Sequence, residues 1–173
     1  MAKSARPRKA KHPIRGVLCY TNFMKIDILD AKLIQFFRRV SVPVARFGLF
    51  VVFFWFGFLK VIGLSPASGL VQRLFENTIP FISFHSFLVG FGVFECIIGI
   101  LFLVRGFERV VIPMLFIHMV TTFGPLFLLP TETWSGFMVP TLEGQYIIKN
   151  LVIIAAAIGV AAHMHPLPHK SNL

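Results

Sequence analysis

The chain has 173 residues, a length that fits a single domain. Hydrophobic residues make up 56% and charged residues only 14%, with a mean hydropathy of +0.79, so an ordinary water-facing surface is excluded. The net charge of +10 does not indicate nucleic-acid binding. Eleven of the 17 lysines and arginines crowd between Lys3 and Arg46, beside apolar sequence and without a nucleic-acid-binding motif.

Residues 1–20 are basic and punctuated by proline without apolar periodicity, which predicts a disordered leader. No cleavable signal peptide is expected, because the first long apolar stretch starts near residue 42. Over 21–40, Phe23, Ile26, Leu29, Leu33, Phe36 and Phe37 recur at three- and four-residue steps among Lys25, Asp27, Asp30, Lys32 and Arg38. That pattern predicts an amphipathic helix lying in a membrane interface against anionic headgroups, with docking onto a soluble partner as the alternative.

Four apolar stretches follow, over 42–63, 84–104, 110–129 and 146–162. Each approaches the roughly 20 residues needed to cross a bilayer. The expected fold is all-α: a polytopic four-helix membrane bundle over 42–162, preceded by the interfacial helix and followed by a His/Pro tail over 163–173. The turn between the second and third spans carries Arg105 and Arg109, and the tail carries Lys170. Segment 130–145 has no Lys or Arg, and 64–83 has only Arg73. The positive-inside rule then places both termini in the cytoplasm.

Ionisable residues inside spans are costly, which makes each a site candidate. Glu95 sits near the middle of the second span, on a face with Gly92 and Gly99. Glycines at that spacing let a neighbouring helix approach closely, so Gly57, Gly92 and Gly99 are expected to pack helices and turn Glu95 inward. His118 occupies the middle of the third span, bordered by Thr121 and Thr122. Consecutive antiparallel spans bring it to the depth of Glu95, an acid–imidazole pair able to pass a proton or anchor a ligand. Fixing helix register is the plainer role for both.

Lys60, His85, Glu143 and Lys149 fall near the outer ends of the spans. They define either an outer pocket, with the lysines holding an acidic or quinone-like group, or snorkelling side chains at the headgroups. Trp134 and Tyr146 fit an interfacial belt. His163, His165 and His169 read as a solvated tail, and no metal site is expected. Cys19 and Cys96 form no CxxC pair and should lie at different levels, so no bridge between them is expected. No Walker loop, dinucleotide fingerprint or haem-attachment motif is present.

The run Phe53-Phe54-Trp55-Phe56-Gly57-Phe58-Leu59-Lys60 resembles the F-x-W-x-G-x-x-K signature of the YkgB-type inner-membrane proteins, within the wider DoxX-like group. Ser65-Pro66, the segment from Gly90 through Glu95 to Gly99, Thr131-Glu132-Thr133-Trp134, and Gly144 with Lys149 resemble that family's later motifs in order. Gln145 and Asn150 stand where the family has an arginine and an acidic residue. The resemblance implies a DoxX-like four-helix fold in a bacterial inner membrane and a respiratory or oxidative-stress setting.

Together these features predict a protein that binds a lipid-soluble molecule such as a quinone. Glu95, Lys60 and Lys149 would hold it, with His118, Glu143 and His85 assisting. No resident cofactor is assigned, and an accessory role is favoured over catalysis. The alternatives are a membrane subunit passing electrons from a soluble redox partner to quinone, a small proton-coupled transporter, or an assembly factor. The bilayer itself is the expected partner, together with that soluble partner or further copies of the chain.

Overall fold

A computed structural model describes residues 14–78 and 82–164, with side chains from Ile28 onward except Asn77. The chain divides into two compact units, Met1–Val40 and Ser41–Leu173. Residues 1–13 of the expected leader and 165–173 of the expected tail lie outside the described residues, with His165 and His169 among the latter.

Helix α1 covers Ile14–Val61, so 14–20 are helical where the sequence predicted irregular chain. The reason is local. After Pro13 no proline occurs until Pro43, and Gly16 is the only glycine in that stretch. The unit boundary, Val40/Ser41, falls within α1 close to the expected junction of interfacial helix and first span.

Helix α1 ends on Gly63. Its φ of +73° suits glycine, the Gly63 N–H donates to the Lys60 carbonyl (3.2 Å), and the Leu64 N–H donates to Leu59 (2.8 Å). Helix α2, Ser68–Thr78, lies in what the sequence left as a simple connection. Leu70, Val71, Leu74 and Phe75 share one face; Phe75 is buried against Phe84 and Phe87, and Gln72 bonds Glu76 one turn on.

Helix α3, Phe84–Leu103, starts at Ser83, whose hydroxyl accepts the Ser86 N–H as an N-cap. Helix α4, Glu108–Phe123, begins after a short turn containing Gly106. The third span is not one continuous helix. The helix breaks at Gly124, and two short helices follow, α5 (Pro125–Leu128) and α6 (Pro130–Thr133). A small antiparallel hairpin, β1 (Trp134–Gly136) and β2 (Val139–Pro140), leads to helix α7, Leu142–Ala161.

Four helical stretches, Ile28–Val61, Phe84–Leu103, Glu108–Leu128 and Leu142–Ala161, are long and apolar enough to cross a membrane. The four-span all-α bundle expected from the sequence is therefore present. The large apolar side chains left exposed on it, among them Phe47, Trp55, Ile117 and Val152, are those a lipid environment accommodates.

The core is unevenly placed along the bundle. Leu49 and Phe53 of α1, Ile98 and Phe102 of α3, Val111, Leu115 and Met119 of α4, and Ala157 and Val160 of α7 form one apolar cluster. Nearly all of it lies toward the α3–α4 turn, here the turn end. The opposite end, here the cap end, carries α2, α5, α6 and the hairpin.

Arg46 ties the turn end together. Its Nε donates to the Phe102 carbonyl (2.8 Å) and its Nη2 to Val104 (3.1 Å), and it pairs with Glu108 at 2.6 Å. It thereby satisfies carbonyls that the end of α3 leaves open while neutralising the acid that starts α4.

Candidate functional site: a buried Lys–Glu–His triad

Helices α1 and α3 cross where two glycines face each other. A Cβ on Gly57 would meet the Gly92 carbonyl at 2.6 Å, and one on Gly92 would meet the Gly57 carbonyl at the same distance. Gly99 makes a second close approach, to the backbone of Phe54 and Phe50. Backbones this near leave no space between them for a long side chain, so Lys60 and Glu95, beside the crossing, run along it and meet.

The Lys60 Nζ lies 2.6 Å from Glu95 Oε2. The other carboxylate oxygen, Oε1, lies 2.8 Å from His118 Nε2. All three residues are buried: Lys60 is 7% exposed, Glu95 5% and His118 5%. A single carboxylate is thus held between two nitrogen bases inside a four-span bundle. No buried side-chain N or O among the described residues lacks a hydrogen-bond partner, as burial demands.

The second nitrogen of His118, Nδ1, faces the Thr122 hydroxyl at 3.2 Å. That hydroxyl also lies 3.1 Å from the His118 carbonyl, which Thr121 Oγ1 already bonds at 2.7 Å. Two arrangements follow from donor and acceptor counting. If Thr122 donates to the carbonyl, it accepts from Nδ1–H, and a further proton sits between Nε2 and Glu95. If Thr122 donates to Nδ1, His118 is neutral with its proton on Nε2. Thr121 serves the carbonyl in both cases. With Lys60 charged, the triad carries +1 in the first arrangement and zero in the second, and turning one hydroxyl accompanies the change.

Aromatic rings enclose this chemistry. Phe91 stacks on the imidazole (centroids 5.0 Å apart, planes 14° apart), and Phe53 meets it edge-on at 5.2 Å. Phe94 lies 6.3 Å away. The Phe91 ring also faces Lys60 Nζ at 5.6 Å, a cation–π contact.

The structure does not bring the remaining sequence candidates to the triad. Lys149 is exposed, its Nζ 5.1 Å from the Tyr146 ring. Glu143 and His85 are exposed as well. Lys60 therefore belongs with Glu95 and His118, and not with Lys149 at an outer rim. Cys96 is a free thiol directed at the Phe54 carbonyl (3.6 Å). His163 bonds the Gly159 carbonyl from an exposed position.

Trp134, expected in an interfacial belt, donates its indole N–H to the Leu126 carbonyl (3.1 Å) beside the α4–α5 break. Sequence reasoning missed the Arg46–Glu108 pair. Its signal was Arg46 itself, an ionisable residue just inside the first apolar stretch.

No known protein family, curated protein or solved structure matches this chain. Fold and site together define a multi-pass membrane protein: a four-span helical bundle with a lysine–carboxylate–histidine triad buried at its centre.

Proposed function

We propose that this protein binds a lipid-soluble, proton-exchanging molecule of the quinone class at the Lys60–Glu95–His118 triad. The carrying observation is the carboxylate held at 2.6 and 2.8 Å between two bases inside an apolar bundle. Ionisable groups are costly inside a membrane, which makes this cluster a site candidate. A ring carbonyl accepts hydrogen bonds, and the triad's donors are Lys60 Nζ and His118 Nε2. Lys60 has three N–H groups and can spare one, but taking the single His118 Nε2 proton leaves Glu95 short of a donor, and a proton from outside replaces it.

Two further features support this reading. Phe91, Phe94 and Phe53 offer aromatic surface around His118 for a planar ring. A shallow, open apolar surface lined by Phe116, Met119, Val120, Phe123 and Ile154, and by no triad member, is the place we propose for a hydrocarbon tail. The setting we propose is a bacterial inner membrane with both termini cytoplasmic and the basic segment on anionic lipid. It rests on the positive-inside distribution and the YkgB-type resemblance.

The complete hydrogen bonding of the triad favours a second reading, in which it only locks helix register. Mass spectrometry of small molecules extracted from protein purified in mild detergent separates the two. A stoichiometric quinone-like compound that is lost in a folded Glu95→Gln variant is the expected result. Bulk phospholipid alone, in wild type and variant alike, would leave the register role standing.

A further inference from the structure

The polar and apolar parts of the bundle interior are divided along its length. Every buried polar side chain among the described residues is either a triad member or lies capward of it: Lys60, Glu95 and His118, then Ser65 and Thr133. Turnward of the triad the interior is closed by Ile98, Phe102, Val111 and Leu115, each 0% exposed, with Val160 at 2%. Between the triad and the Arg46–Glu108 pair at the turn end, this apolar layer gives water no polar side chain to bind. Capward, the backbone is irregular at Gly124 and Leu129, Thr122 is half-buried and Thr121 is exposed.

One element covers the capward route. On α2, Phe75 begins a line of rings that reaches the triad: Phe75 to Phe87 at 4.8 Å, Phe87 to Phe91 at 5.7 Å, and Phe91 to His118 at 5.0 Å. Its neighbour Leu74 approaches Gly124, two residues beyond Thr122. Helix α2 is held from outside by an ion pair between Arg73 and Glu132 of α6 (3.1 Å), whose side chains are 48% and 38% exposed. Such a pair is weak and easily exchanged for water. The eleven-residue helix is held by that pair and by Phe75 packed on Phe84 and Phe87, so lifting it would open the end of the ring line at Phe87 and the break at Gly124 near Thr122.

We infer that the triad exchanges with water from the cap end only, and that α2 is the lid on that route, latched by Arg73–Glu132. The inference builds on the triad as a working site, but its test reads accessibility and needs no ligand. Thr122→Cys, in a Cys19→Ser/Cys96→Ser background, is reconstituted in liposomes and exposed to a membrane-impermeant thiosulfonate from each face. Ser135→Cys and Arg105→Cys mark the cap and turn faces. Phe91→Cys is a second probe on another helix, should Thr122→Cys fail to fold.

Modification from the cap face alone is expected. Arg73→Glu should speed it about fivefold, the scale of one exposed ion pair replaced by repulsion, and Arg73→Glu/Glu132→Arg should restore the slow rate. Modification from the turn face, no modification of either probe from either face, or a rate indifferent to Arg73→Glu would overturn the inference. An empty extract from the purified protein would count against the ligand and leave this result untouched.

Discussion

At the residue scale, the triad couples three side chains so closely that removing one strands the others. Lys60→Met leaves a buried carboxylate with the imidazole as its sole partner. A loss of about 3–5 kcal/mol in unfolding free energy is expected, as for other broken buried ion pairs. Adding Glu95→Leu removes the stranded charge, so the double variant should be more stable than Lys60→Met alone. Denaturation in detergent, read as a double-mutant cycle, checks this; additive losses would mean that the 2.6 Å contact contributes nothing. Thr122 makes a finer distinction. Thr122→Val keeps the volume but deletes the group that switches between Nδ1 and the His118 carbonyl. It should still fold, at a cost of about 1–3 kcal/mol for the unpaired Nδ1, and lose ligand-linked proton uptake, while Thr122→Ser retains both stability and uptake. Glu95 and His118 were legible as partners from their central positions on consecutive spans. Lys60 was not. A lysine in the last turn of a span reads as a snorkelling anchor, and only the glycine crossing reveals that α1 ends level with the middle part of α3.

At the element scale, the register of α1 on α3 depends on glycine, and the glycines are not equivalent. A methyl at Gly57 or Gly92 meets backbone carbonyl at 2.6 Å, whereas one at Gly48 or Gly90 meets nothing within 4 Å. Gly92→Ala should therefore push the helices apart, cost about 1–3 kcal/mol and weaken the Lys60–Glu95 pair. Gly90→Ala, on the same helix, should be neutral or stabilise by up to about 1 kcal/mol. Thermal unfolding of the two variants side by side makes the comparison. Arg46 holds the other end of the same helix pair. Arg46→Gln forfeits the Glu108 ion pair and much of the capping of α3, for an expected loss of about 1.5–3 kcal/mol. The glycine faces and the spans had clear signals in the sequence, whereas the break at Gly124–Pro125 lies inside what reads as one continuous third span. Helix α2 and the hairpin did not stand out. An eleven-residue amphipathic segment between spans resembles an ordinary loop until its packing partner is known. The hairpin is short, places Met138 at φ +58°, and lacks the Asn-Gly or Asp-Gly turn that announces such an element.

At the scale of the whole molecule, two asymmetries coincide. The basic residues gather at one side of the sequence-derived topology, and the dry plug fills the turn end of the bundle. If both termini are cytoplasmic, the capped and polar half opens away from the cytoplasm. Ser135→Cys should then react with an impermeant reagent on intact cells and Arg105→Cys should not; the reverse pattern would invert the topology without disturbing the fold. The claim on which function rests is that the triad trades a proton when a carbonyl ligand takes one of its donors. It is tested most directly by adding a short-chain quinone to lightly buffered, purified protein and following a pH indicator. Uptake of about one proton per bound molecule, absent in Glu95→Gln, is the expected result. Binding without any proton change, or equal uptake in the variant, would contradict it.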